Sequence, residues 1–145
     1  MSYDVYHETN FGRIKFDKDN RILIVEFFPS ESETVEEIME MDKYLKDFLL
    51  KYVEAFMHYR TSKVLFDYRK LYLPISDEFT KWVIENVVKK TVANGLMKLA
   101  QVYPEDIITK LGLEILVEQT LTQAPGPKRM LFDDYHQAFE WLKKD

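Results

Sequence analysis

Asp67, Arg69 and Ser76 are the residues whose types and spacing come nearest to a chemical site in this chain. They lie in Leu65-Phe-Asp-Tyr-Arg-Lys-Leu-Tyr-Leu-Pro-Ile-Ser76, where an apolar run ends, releases a carboxylate and a guanidinium, and reaches a serine in front of two acids. Two positions apart on an extended chain, Asp67 and Arg69 project to one side about 6 to 7 Å apart at the backbone, so they either brace each other or both face a ligand. Their position favours a site, because open α/β sheets bind ligands beyond the carboxyl ends of their strands. Ser76 has the form of a helix N-cap, worth about 1 kcal/mol. Its functional alternative is phosphorylation, which would place roughly two negative charges on the helix start, favoured by the helix dipole but repelled by Asp77 and Glu78.

Other chemistries lack their residues. The three histidines, His7, His58 and His136, have no ligating partner at helical zinc spacing, so no metal is expected. Four glycines form neither a dinucleotide nor a triphosphate cradle, which leaves no cofactor expected. There is no G-x-S-x-G elbow and no cysteine, which excludes disulfides, thiolate metal sites and cysteine nucleophiles. No acid, base and nucleophile can be placed together from spacing, so no catalytic residue is named and the chain is not expected to be an enzyme. A net charge of −5 disfavours a nucleic-acid partner, which needs a clustered basic face. Acidity gathers at Glu31, Glu33, Glu36, Glu37, Glu40 and Asp42, which suits the positive end of a helix better than a basic partner. Aromatic residues are the remaining candidates: Tyr3, Tyr6, Phe11, Phe27, Phe28, Tyr68, Tyr72 and Trp82 either pack a core or line an apolar ligand pocket.

The elements that must position these residues follow from periodicity. Gly12 to Phe16 and Arg21 to Phe28 read as strands joined by the polar turn Asp17-Lys-Asp-Asn20. In the second, Leu23, Val25 and Phe27 share one face, while Ile22, Ile24 and Phe28 share the other with Glu26 and require cover, for which a homodimer is the expectation. Thr34 and Glu37 have capping-box spacing before a helix with Val35, Ile38, Met39, Leu45, Phe48, Leu49, Tyr52, Val53 and Phe56 on its apolar stripe. Lys63 to Asp67 is a third strand. Ser76 opens a helix carrying Phe79, Trp82, Val83 and Val87 on one face, and Asn94-Gly95 ends it. Leu96 to Tyr103 is a strand and Glu105 to Leu121 is helical, with a break or kink at Gly112. Lys128 to Phe132 and a helix after Asp133 or Asp134 close the series. The order ββαβαβαβα predicts an α/β fold in one domain over residues 1–145: a mostly parallel mixed sheet with an N-terminal hairpin. Neither the first residues nor any apolar run suits a leader or a membrane span, so a cytoplasmic protein without integral membrane association is expected.

This order, with Leu65-x-Asp67-x-Arg69-x-Leu71, Ser76, Trp82, Gly95, Ala100-x-Val102-x-Pro104-Glu105 and Ala138-x-x-Trp141-Leu142, resembles STAS-like domains of the anti-sigma-factor-antagonist fold group. The resemblance covers Gly12 to Leu142. It implies a curved sheet with helices mainly on one face, and a regulatory serine at the helix start after the third strand, where Ser76 stands. The regulatory family carries an Asp-Ser pair there, whereas this chain has Ile75-Ser76-Asp77. Two functions are therefore expected in order: a non-catalytic interaction or regulatory module that contacts a protein partner or itself through Asp67, Arg69 and Ser76; or a small carrier of an apolar or anionic, lipid-like ligand held near Phe27, Tyr68, Tyr72 and Trp82.

Overall fold

A computed structural model describes residues 2–29 and 35–144. Strands β1 (Tyr3–Glu8), β2 (Gly12–Asp17) and β3 (Ile22–Phe27) form an antiparallel meander. Helix α1 (Val35–Tyr59) crosses to β4 (Lys63–Asp67), α2 crosses to β5 (Lys98–Val102), and α3 (Ile107–Gln123) crosses to β6 (Lys128–Phe132). Helix α2 runs over Asp77–Val83, passes through a π-helical turn at Ile84–Val88 and finishes over Lys89–Ala93. Helix α4 (Tyr135–Lys143) follows β6. The single sheet has its strands in chain order, β1 to β6, with β3 to β6 parallel. Successive crossovers that step the same way across a sheet deposit their helices on the same face, given one handedness. Helices α1, α2 and α3 accordingly share one face and α4 takes the other.

Strand β1 is an addition to the expected order. Its residues, Tyr-Asp-Val-Tyr-His-Glu, give no apolar alternation because the strand lies at the sheet edge, half-buried, and among the described residues pairs only with β2. The larger core packs Leu23, Val25, Phe27, Val64 and Phe66 against Leu45, Phe48, Leu49, Tyr52 and Phe56 of α1, with Phe79 and Val83 of α2 and Leu113 of α3. Met39, placed by spacing on the α1 stripe, is instead exposed. Thr34, and with it the capping box, lies outside the described residues, as do the side-chain placements of Val35 and Ile38.

The second face carries Ile22, Ile24, Leu65, Ala100 and Val102 under Ala138 and Leu142 of α4. Ile22 and Ile24 are completely buried by the chain itself. The cover for which a homodimer was expected is therefore intramolecular, and that reason for a dimer disappears. Phe28, the third of that set, sits beneath Arg13 at 5.3 Å.

The expected break at Gly112 does not occur, and α3 is continuous from Ile107 to Gln123. Glycine is present for proximity: a Cβ at position 112 would stand 2.9 Å from the Cβ of Ile75. The segment before α2 packs against the helix at that point. Among the described residues, no helix is long and apolar enough to cross a membrane.

Candidate functional site

Asp67 ends β4 on the α4 face, and its carboxylate is enclosed by the residue two positions on. Arg69 Nε donates to Oδ1 at 2.9 Å and Nη2 donates to Oδ2 at 2.8 Å, while the Arg69 amide donates to Oδ1 at 3.1 Å. This fork-to-fork pairing uses the geometry that a bound anion would need. The Arg69 guanidinium also lies 5.1 Å from the Tyr135 ring centre, which joins the end of β4 to the start of α4. Hydrogen bonding to Asp67 raises the pKa of Arg69, and burial raises that of the Tyr135 phenol. Glu26 of β3 is the cross-strand neighbour of Asp67 and pairs with Lys15 at 2.7 Å. Two adjacent carboxylates thus meet two cations, and the group ties strand ends together.

Ser76 is the N-cap of α2, extended at φ −81° and ψ 163°, with Oγ accepting from the Phe79 amide at 3.1 Å. Tyr72 is exposed and donates to Glu105 Oε1 at 2.9 Å; Lys70 reaches the same oxygen at 2.8 Å. These two bonds lower the pKa of Glu105, that of Lys70 first. Trp82 packs beside Phe79 with Lys46 5.5 Å from its ring. The structure brings Asp67 to Arg69, but leaves Ser76, Tyr72 and Trp82 in separate local contacts. Tyr68 points to the opposite face from Asp67, and there it meets a cavity.

The cavity lies between the sheet and helices α1 to α3, with a volume of about 80 Å³. Phe27, Phe66 and Leu99 form its sheet wall, and Leu49, Val83 and Leu116 stand among the helical residues opposite. Thr91 and Thr120 line it with hydroxyls that donate to carbonyls of their own helices. The π-helical turn borders it. A Lys89 amide that reaches back to the Ile84 carbonyl inserts an extra residue into the helix, and both Val87 and Val88 line the chamber. Turns of this kind recur at functional sites.

Besides the buried phenol of Tyr52 beside Thr91, three polar side chains line this apolar space. Tyr68 stacks between Phe27 and Phe66, at 5.6 and 5.4 Å, and burial raises its phenol pKa well above the ordinary range. Gln101, which is 6% exposed, donates through Nε2 to Tyr68 Oη at 3.4 Å, and its Oε1 has no hydrogen-bond partner among the described residues. Rotating the amide would exchange an orphaned acceptor for an orphaned donor, so one end of Gln101 stays unsatisfied. Arg129 donates through Nη2 to the Ala124 carbonyl, but Nε and Nη1 are buried without a partner among the described residues. Burial lowers its pKa, yet a guanidinium stays cationic at neutral pH. Leu99 pairs with Arg129 and Gln101 with Leu131 between β5 and β6, so Gln101 and Arg129 are diagonal neighbours on one sheet face.

Sequence reasoning placed Phe27 and Tyr68 near a pocket, and both line this one; Tyr72 and Trp82 do not. Gln101 and Arg129 escaped it. The available signal was a polar side chain on the inward register of each parallel strand, since strands covered on both faces otherwise read as apolar runs. Comparison with protein-family models, curated proteins and solved structures finds no match.

Proposed function

We propose that this protein is a non-catalytic binding module whose ligand is a small, largely apolar molecule held between the sheet and helices α1 to α3. One observation carries the reading: an apolar chamber contains a nine-tenths-buried glutamine with a polar end left unbonded. Buried polar groups are overwhelmingly hydrogen-bonded, and an unsatisfied one costs about 1 to 3 kcal/mol, so a ligand that completes the bond is favoured. The π-helical turn supports the same reading, because it aims Val87 and Val88 together into the chamber. The closed Asp67–Arg69 fork favours a bracing role for that pair, and the ligand site moves from the loop to the cavity. Kinship with the STAS-like group belongs to the same proposal; a mixed sheet with three crossover helices on one face supports it. Native mass spectrometry of protein purified from its own host should show a population heavier than the polypeptide by one small organic molecule. A consistently ligand-free mass would overturn the carrier reading.

A further inference from the structure

If the cavity is a ligand site, as proposed above, its polar end specifies the charge of the occupant. We infer that the cavity takes a short-chain monocarboxylate, with the carboxylate against Arg129 and Gln101 and the hydrocarbon among Leu49, Phe66, Val83 and Leu116.

Arg129 sets the charge of the occupant. Its guanidinium lines an apolar chamber, has unpartnered donors at Nε and Nη1, and has no carboxylate ion-paired to it among the described residues. The residue as a whole is half-buried, but two of its guanidinium nitrogens are shut off from water; burying part of a cation without a counter-charge is unfavourable, and a paired anion with good hydrogen bonds relieves the cost. One cation calls for one negative charge, which favours a carboxylate over a phosphate that brings nearly two near neutral pH. Gln101 fits the same head. With its amide turned so that Oε1 accepts from the Tyr68 hydroxyl, its Nε2 protons face the space that the carboxylate would occupy. Tyr68 then acts as a donor one bond back from the ligand. A neutral alcohol would satisfy Gln101 but leave the guanidinium without a counter-charge.

Volume limits the tail. About 80 Å³ is roughly half of the ~150 Å³ cavity that admits benzene, so the head and no more than about three carbons fill it. Longer chains would have to displace the leucine and valine side chains that close the chamber.

The experiment is isothermal titration of the full chain with propanoate, butanoate and butan-1-ol, followed by side-chain N–H spectra that read Gln101 Nε2 and Arg129 Nε. The expected result is saturable binding of the acids, weaker binding of the alcohol, and displaced resonances at both side chains. Arg129→Met keeps the length and apolar bulk of the side chain; it should weaken butanoate on the order of a hundredfold and butan-1-ol far less. Equal affinity of acid and alcohol for the wild type, or butanoate binding that moves neither side-chain resonance, overturns the carboxylate assignment while the cavity remains a binding site. Failure of the acids and the alcohol alike to bind overturns both readings. The wild-type comparison decides the matter without any variant, should Arg129→Met not fold.

Discussion

Arg69 and Arg129 show how placement divides two identical side chains into different tasks. Arg69 meets a carboxylate two residues away and closes on it with both edges of the fork. Arg129 meets a carbonyl and keeps free donors inside the molecule. Removing Arg69 should therefore act on stability first. Arg69→Ala leaves the buried Asp67 carboxylate without its charged partner and should cost about 2 kcal/mol in urea denaturation, with butanoate affinity unchanged. A variant as stable as the wild type would show that water replaces the guanidinium without loss. Ser76→Ala should cost about 1 kcal/mol by the same measurement, because the Phe79 amide loses its acceptor. The Asp67–Arg69 brace and the Ser76 cap were both legible in sequence, since each depends on spacing within four residues. Gln101 and Arg129 were not. Their surroundings are assembled by three crossovers distant in sequence, and a polar residue inside a short strand has no local mark of what faces it.

At the scale of elements, two glycines are fixed by proximity. Gly12 of β2 has the Glu26 carbonyl oxygen 2.4 Å and the Phe48 ring 2.8 Å from the point where a Cβ would sit. Neither the backbone oxygen nor the packed ring can retreat easily, so Gly12→Ala should destabilise by about 3 kcal/mol, read from thermal or urea unfolding. Gly112 shows why local propensity misjudged α3. Glycine weakens a helix interior by about 1 kcal/mol relative to alanine, which is the physical basis for expecting a break. Contact with Ile75 and the Asp106 cap hold the helix together across it. Strand β1 was missed for the opposite reason: its stability comes from pairing with β2, not from an apolar face of its own.

The Asp106 cap carries a pH dependence. Its carboxylate accepts from the Thr109 amide at 2.9 Å and hydroxyl at 2.8 Å, and these bonds hold its pKa below the ordinary 3.8. A depressed folded-state pKa means that the contribution is complete above the ordinary value and is lost as pH falls through the lower, folded one. Asp106→Asn should therefore flatten the acid limb of the stability curve from about pH 4 downward, with little effect on its slope near neutrality. An unchanged acid limb in chemical denaturation would assign acid sensitivity to other carboxylates. Thr109 passes the connection on, because its hydroxyl oxygen accepts from the Leu73 amide at 3.0 Å. The loop that follows β4 is thereby anchored to α3.

For the whole molecule, α4 separates an exposed apolar sheet face from a closed one. Ile22, Ile24, Leu65, Ala100 and Val102 are buried with Ala138 and Leu142. A chain shortened after Phe132 should therefore self-associate, giving a larger mass by light scattering than the 145-residue chain at equal concentration. Equal masses would mean that the bare face is tolerated in water.

Strand order adds a constraint in time. Because the strands lie in chain order, each new one emerging during synthesis finds its partner already made, and the sheet extends from one edge without rearrangement. The two faces close on different schedules. One is covered as α1, α2 and α3 arrive between strands, while the other stays bare until Tyr135–Lys143 has left the ribosome. A pause in translation between β6 and α4 would thus hold the nascent chain in its most aggregation-prone form, nine helical residues short of safety.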